Sequence, residues 1–169
     1  VERVLRAGQL PVLVVNQPAG GQYRDLLIAL DTSPASAHAV EVANDLGLLE
    51  GAVRRGVYAF SPLAKGMMQY SGVSEERIDE FVSSESRQAV EELKTFLHDQ
   101  HLEERIDEQL VAVGLPGNVL QRMVDKHRPD LLVMGTRGMG GIKRALIGSV
   151  ADYALRELDC DILVVPPEA

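Results

Sequence analysis

The chain has 169 residues, 46% of them apolar and 25% charged, enough for one well-buried domain and too few for two of typical size. Its 25 Asp and Glu outweigh 17 Lys and Arg, and the resulting formal net charge of −8 gives no general attraction for nucleic acid or an anionic membrane. No apolar run reaches the length of a membrane-spanning helix and no leader is recognisable, so the expected location is the cytoplasm. The lone cysteine, Cys160, excludes an intramolecular disulfide and reads as a small packed residue, while His38, His98, His101 and His127 share no ligand spacing that would hold a transition metal.

In chain order, residues 1–15 read as a short helix, a polar turn and a strand, and they align without a gap on residues 151–165. Val12-Leu13-Val14-Val15 falls on Ile162-Leu163-Val164-Val165. This internal repeat, together with the absence of an initiating Met, predicts that residues 1–16 are the terminal helix and strand of a preceding homologous domain, residues 17–22 a linker and residues 23–169 the complete domain. An orphan strand cannot bury its own apolar surface. Residues 12–15 are therefore expected to add to a sheet edge, pairing with the 161–165 strand of the same or another chain.

Residues 26–30 form a candidate strand that stops at Asp31-Thr32-Ser33-Pro34, where a hydroxyl or carboxylate cap followed by proline opens a helix with Ala37, Val40, Ala43 and Leu46 inward. Residues 53–60 are a second strand. Residues 61–73, with Met67, Met68 and Tyr70, show no period and read as a linker or a lid. A long helix is predicted from 74 to about 100, where Ile78, Phe81, Val82, Ala89, Leu93, Phe96 and Leu97 recur every three or four residues. Residues 105–113 mix apolar positions with Asp107, Glu108 and Gln109, as an edge strand does. Leu115-Pro116 begins a shorter helix lined by Val119, Leu120, Met123 and Val124, which ends at His127 and Pro129. A buried strand at 131–134, a helix at 149–158 and a strand at 161–165 follow. Alternating strands and helices from 24 to 165 predict a parallel sheet covered on both faces and joined by right-handed crossovers.

The densest functional signal is Gly135-Thr136-Arg137-Gly138, followed after nine residues by Gly148-Ser149. A strand feeding a glycine loop that leads into a helix start leaves N–H groups unpaired and exposes the positive end of the helix dipole, so the loop is suited to an anion. The interval 135–150 also carries Arg137, Lys143 and Arg144 but no acidic residue. In so acidic a chain, that local positive island points to a small anionic ligand such as a nucleotide phosphate. The Walker sequence Gly-Lys-Ser/Thr is absent, Gly148-Ser149-Val150-Ala151-Asp152 is not a nucleophile elbow, and no carboxylate or glutamine is set to position water.

On the Gly135-x2-Gly138-x9-Gly148-Ser149 motif, Asp31 after the first strand and the ending Ile162-Leu163-Val164-Val165, the chain resembles the universal stress protein family over about residues 23–166. The resemblance implies an α/β fold, an open, Rossmann-like five-stranded parallel sheet of order 3-2-1-4-5 with helices on both faces. It also implies frequent dimers and, in the subclass with this motif, ATP binding in a stress response. That order sets Asp31 and Gly135 across the switch point where such sheets bind ligands. By the same resemblance Asp31 would hold the ribose, and Ala29, Leu30, Ala59 and Met134 would line the adenine. Gly135, Gly138, Gly148, Ser149 and Val150 would cradle the phosphates, with Arg137 and Arg144 added on grounds of charge. Ala151 stands where some relatives carry a hydroxyl. The expected ligand is ATP, with AMP or ADP as alternatives, and Mg²⁺ held through phosphates and water. The leading expectation is a regulatory nucleotide-binding module without catalytic residues. Alternatives are a weak ATPase or autophosphorylating enzyme with Ser149 as acceptor, and a nucleotide-free dimerisation module. The expected partner is a second copy, or the preceding domain in tandem, through the last strand.

Overall fold

Short β-branched and leucine-rich runs bounded by polar turns form strands because their side chains can be buried on both faces of a parallel sheet. The computed structural model describes residues 10–18, 20–62, 68, 70–136 and 147–168. Among them are strands β1 (Val12–Val14), β2 (Asp25–Leu30), β3 (Val53–Phe60), β4 (Glu108–Val113), β5 (Leu131–Gly135) and β6 (Asp161–Val165). Helices α1 (Pro34–Asp45), α2 (Glu75–Asp99), α3 (Pro116–His127) and α4 (Ser149–Glu157) alternate with them, and a 3₁₀ turn spans Glu103–Arg105.

The sheet order is β1-β6-β5-β2-β3-β4. The five strands from β2 to β6 are parallel and reproduce the expected order 3-2-1-4-5. The strand count is corrected from five to six. β1 adds to the outer edge of β6, antiparallel, in the register Val12↔Val164, Leu13↔Leu163 and Val14↔Ile162. An apolar strand at that position covers an edge that would otherwise present unpaired N–H and C=O groups. The helix that the repeat predicts before β1 lies outside the described residues. β4 is the opposite edge, as its polar residues indicate, but it begins at Glu108 rather than 105. Glu103–Arg105 make the 3₁₀ turn, and Asp107 is drawn to Arg54 of β3 instead of entering the strand.

Right-handed crossovers dictate which face each helix takes. From β2 through β3 to β4 the chain moves in one direction, so α1 and α2 cover one face with Leu26, Ile28, Leu30, Tyr58, Leu131, Val133, Leu163 and Val165. It then returns across the sheet, and α3 and α4 cover the other face with Leu27, Val57, Leu132, Met134, Ile162 and Val164. The three-and-four spacing of α2 buries Ile78, Ala89, Leu93, Phe96 and Leu97, while Phe81 and Val82 are half-buried. Each fully buried leucine of these layers contributes roughly 2 kcal/mol relative to solvent exposure. Gly117, in the first turn of α3, lets that helix approach α4, for a Cβ there would lie 3.1 Å from the Tyr153 ring.

Carboxylates close the amino ends of the strands. Asp130, just before β5, accepts the N–H groups of Arg24 (2.8 Å) and Asp25 (3.0 Å) at the start of β2. Asp107, just before β4, accepts the Arg54 N–H at 2.8 Å and a bidentate guanidinium pair at 2.9 and 2.6 Å. The hydrogen bonds from Arg54 hold the Asp107 carboxyl below its ordinary range. Arg55 bridges Asp25 and Glu108. Asp161 at the head of β6 accepts the N–H groups of Asn16 (2.7 Å) and Gln17 (2.9 Å), where antiparallel β1 ends, and the Tyr23 hydroxyl at 2.7 Å. Asp25, Asp107, Glu108, Asp130 and Asp161 are thus placed at the end of the sheet opposite the strands' carboxyl ends.

Candidate functional site

β2 and β5 pair from Leu26↔Leu131 to Ile28↔Val133 and then part. β2 continues with β3 to Leu30↔Tyr58, and β5 with β6 to Gly135↔Val165. The chain leaves β2 for α1 on one face and β5 for α4 on the other, and the divergence opens a crevice at the carboxyl ends. This is the topological switch point at which open α/β sheets bind ligands.

On the β2 side stands Asp31, part-buried, one residue past the strand. Its Oδ1 accepts the Ser33 N–H at 3.1 Å and the Ser33 hydroxyl. Ser33 in turn is the cap of α1, its Oγ accepting the Ser36 N–H at 3.3 Å, with Pro34 in the first turn. The hydroxyl, not the carboxylate, is therefore the cap. The turn needs Thr32 in the left-handed region, φ 57°. That conformation costs a non-glycine residue of order 1 kcal/mol and is the kind of local strain that collects at functional sites. Tyr58 of β3 stands beneath this turn, its hydroxyl donating to Glu92 Oε2 of α2 at 3.3 Å. Burial first, and the Glu92 charge second, push the phenol pKa up, so the ring stays neutral.

On the β5 side the glycine loop is tied at its base. The Thr136 N–H donates to the Val165 carbonyl at 2.8 Å, and the Gly148 N–H donates to the Thr136 carbonyl at 2.7 Å. The two ends of the motif, twelve positions apart in sequence, therefore meet. Thr136 is buried there. Gly148 is the N-cap residue of α4, and among the described residues no side chain caps the helix. The Asp152 N–H donates to the Gly148 carbonyl, which places the amides of Ser149, Val150 and Ala151 in the first turn of α4, where backbone donors commonly look outside the helix for partners. Ser149 is exposed at the helix start and Val150 half-buried, whereas Ala151 is buried against the sheet.

The expected site residues are distributed accordingly. Ala29, Ala59 and Met134 pack on the α3–α4 face and share one side of the crevice. Leu30 does not join them. Its side chain lies in the opposite core, where a Cβ on Gly56 would come within 2.9 Å of it, and only its backbone faces the crevice end. Asp31, Gly135, Gly148, Ser149 and Val150 gather at the switch point, and Arg137, Gly138 and Arg144 lie outside the described residues.

Thr32, Tyr58, Thr136 and Arg122 escaped sequence reasoning. The Arg122 guanidinium closes the end of β4 by donating to the Val113 carbonyl at 3.0 Å. A tyrosine inside an apolar strand was the available signal for Tyr58. No sequence signal marks Thr32.

Other groups are chemically quiet. Burial pushes the Cys160 thiol up to about 11, which leaves it protonated and unreactive at neutral pH. Among the described residues there is no cluster of His, Cys, Asp or Glu that could hold a metal, and no helix long and apolar enough to cross a membrane.

Comparison with known proteins agrees with this architecture. The chain is 28% identical over 143 residues to universal stress protein MJ0531 of Methanocaldococcus jannaschii, covering 85% of this chain and 82% of that one. It is 26% identical to universal stress protein Sll1388 of Synechocystis, covering 85% and 97%. Among solved structures, protein MJ0577 superposes with a TM-score of 0.71 at 17% identity, over 88% of this chain and 99% of that one. PA1789 of Pseudomonas aeruginosa superposes with a TM-score of 0.68 at 23% identity, over 98% of this chain but 55% of its own. A universal stress protein solved in complex with cAMP aligns with a TM-score of 0.51 at 23% identity, over 88% of this chain and all of its own. With the profile of the Universal stress protein family matching residues 22–166, the chain belongs to that family.

Proposed function

We propose that this chain is a regulatory module of the stress response that binds an adenine nucleotide, ATP or its mono- or diphosphate, at the β2–β5 switch point. The observation that carries the reading is the tie between Gly148 and Thr136, which brings the start of α4 to the end of β5, one strand from Asp31. A phosphate chain fits such a helix start, because first-turn amides and the helix dipole favour negative charge. Asp31 is suited to accept from a ribose hydroxyl, and Ala29, Ala59 and Met134 offer an apolar wall to a base. Gly135, Gly138, Gly148, Ser149 and Val150 would hold the phosphates, assisted by Arg137 and Arg144. Mg²⁺, where present, would bind phosphate oxygens and water, since it keeps several waters and requires few protein ligands. The cAMP complex of a family member supports an adenine ligand.

Residues 1–16 are, in this reading, the end of a preceding domain of the same family. The sequence repeat and the near-complete coverage of this chain by structures about twice its length support that. The working compartment would be the cytoplasm.

Titration calorimetry with ATP, AMP and cAMP at millimolar ligand tests the proposal, alongside mass spectrometry of whatever the denatured protein releases. Absence of binding for all three would remove it and leave a nucleotide-free module. Steady phosphate release that is abolished by Gly138→Ala would replace sensing with slow hydrolysis.

A further inference from the structure

The β1–β6 pairing has a hidden symmetry and a visible break in it. In the repeat, each residue of β1 corresponds to the residue 150 positions later, so Val12, Leu13 and Val14 are the counterparts of Ile162, Leu163 and Val164. The observed register pairs Leu13 with Leu163 and exchanges the positions on either side. That is the register two identical β6 strands would adopt about a twofold axis through Leu163, the geometry of an isologous dimer. By strand chemistry alone, a second copy of β6 could replace β1.

The flanking residues forbid it. Asn16 and Gln17, which follow β1, correspond to Pro166 and Pro167, which follow β6. The two N–H groups that Asp161 accepts at 2.7 and 2.9 Å belong to Asn16 and Gln17, and proline has none. The side chains add further bonds that proline cannot make, from Asn16 Nδ2 to the Cys160 carbonyl at 2.8 Å and from Gln17 Nε2 to the Asp159 carbonyl. Asp161 itself is buried, 5% exposed. A β6–β6 pair would leave each Asp161 with the Tyr23 hydroxyl and two missing donors. A carboxylate taken out of water without its partners is strongly disfavoured, and a symmetric dimer would incur that cost twice. The counterpart of Asp161 in the first copy is Pro11, so the clamp runs in one direction only.

We propose that the outer edge of β6 is a receptor for the strand-and-linker segment Val12 to Gln17, and that Asp161 together with Pro166 and Pro167 excludes a second β6 from the same edge. The family resemblance implies dimers through the last strand; in this chain the edge is reserved for the segment that ends in Asn16-Gln17.

Three variants of this chain test this by hydrogen exchange and by mass from light scattering across a wide concentration range. In Asn16→Pro/Gln17→Pro, protection of the residue 12–15 amides should fall at least about tenfold while β2 and β5 keep theirs, because two bonds to a charged acceptor are lost. The protein should nevertheless gain no dimer through β6. Adding Pro166→Asn/Pro167→Gln to that variant restores the donors on the second copy and should produce a concentration-dependent dimer with protected β6 amides. Asp161→Ala, with the natural linker, should loosen residues 12–15 by a similar factor. A β6-protected dimer in the first variant, a monomer at every concentration in the second, or unchanged protection of residues 12–15 in the third would each overturn the proposal.

Discussion

Replacing Gly148 by valine separates a ligand role from a structural one. The Gly148 backbone lies at φ −64° and ψ 152°, extended geometry that any residue adopts, so no left-handed conformation requires glycine. Its N–H is already committed to the Thr136 carbonyl at 2.7 Å, a bond that valine retains. The stability cost is thus that of exchanging glycine for a poor N-cap residue, about 0.5–1 kcal/mol. A branched Cβ at the helix start, by contrast, stands between a phosphate and the amides of Ser149 and Val150. Each hydrogen bond to a charged group contributes about 1.5–3 kcal/mol, so losing two weakens nucleotide binding by roughly 3–6 kcal/mol, or about 10²–10⁴-fold. Calorimetry with ATP and urea unfolding on the same preparation read the two quantities. Full affinity with Gly148→Val would refute the cradle, and destabilisation beyond about 3 kcal/mol would show the glycine to be structural.

Other outcomes follow from the same geometry. Asp31→Ala should weaken nucleotide binding by about 10–100-fold and, by freeing Ser33, lower stability by about 1 kcal/mol, seen as a reduced urea midpoint. Leu93→Ala, at a fully buried position of α2, should cost about 2–5 kcal/mol in the same assay. Gly117→Val should cost about 1–3 kcal/mol by forcing α3 off the Tyr153 ring. Burial would raise the Asp161 pKa, but hydrogen bonds from Tyr23, Gln17 and Asn16 outweigh it and hold it below 3.8. Its stabilisation is therefore complete above the unfolded value and is lost as the pH falls through the lower folded value. Protection of the residue 12–17 amides, measured against the intrinsic exchange rate at each pH, should fall over that acid range in the wild type and not in Asp161→Ala.

What the sequence made legible was periodic. The run Leu131-Leu132-Val133-Met134 reads as a buried strand by its shortness and its flanking Pro129 and Gly135, and the three-and-four spacing of Leu93, Phe96 and Leu97 reads as a helix face. The sheet order came through the family resemblance, and the added edge strand through the repeat. Leu30 was assigned to the wall of Ala29, although neighbours along a strand point to opposite faces, so period two already separated them. Asp161 was not legible. Its donors are 145 and 144 positions away, and only the antiparallel return of β1 brings them to it. Thr32 was hidden because a left-handed turn between Asp31 and Ser33 is imposed by their mutual hydrogen bonds and carries no residue signature when it falls on threonine.

The two ends of this sheet divide the electrostatic labour in a way that bears on how one fold can serve both ligand and partner. At the amino ends, Asp107, Asp130 and Asp161 each accept N–H groups from a neighbouring strand, so their charge is consumed in fixing strand positions. At the carboxyl ends, Asp31 stands part-buried after β2 and Glu92 reaches the Tyr58 hydroxyl from α2, while the sequence interval 135–150 contains no acid. On the proposed reading, a phosphate approaching the switch point would meet the first-turn amides of α4 despite the net charge of −8. The strand clamp at the β6 edge is also set apart from the proposed ligand site. Asp161 sits at the head of β6 while Gly135 and Val165 meet at its foot, and a change at one end need not disturb the other.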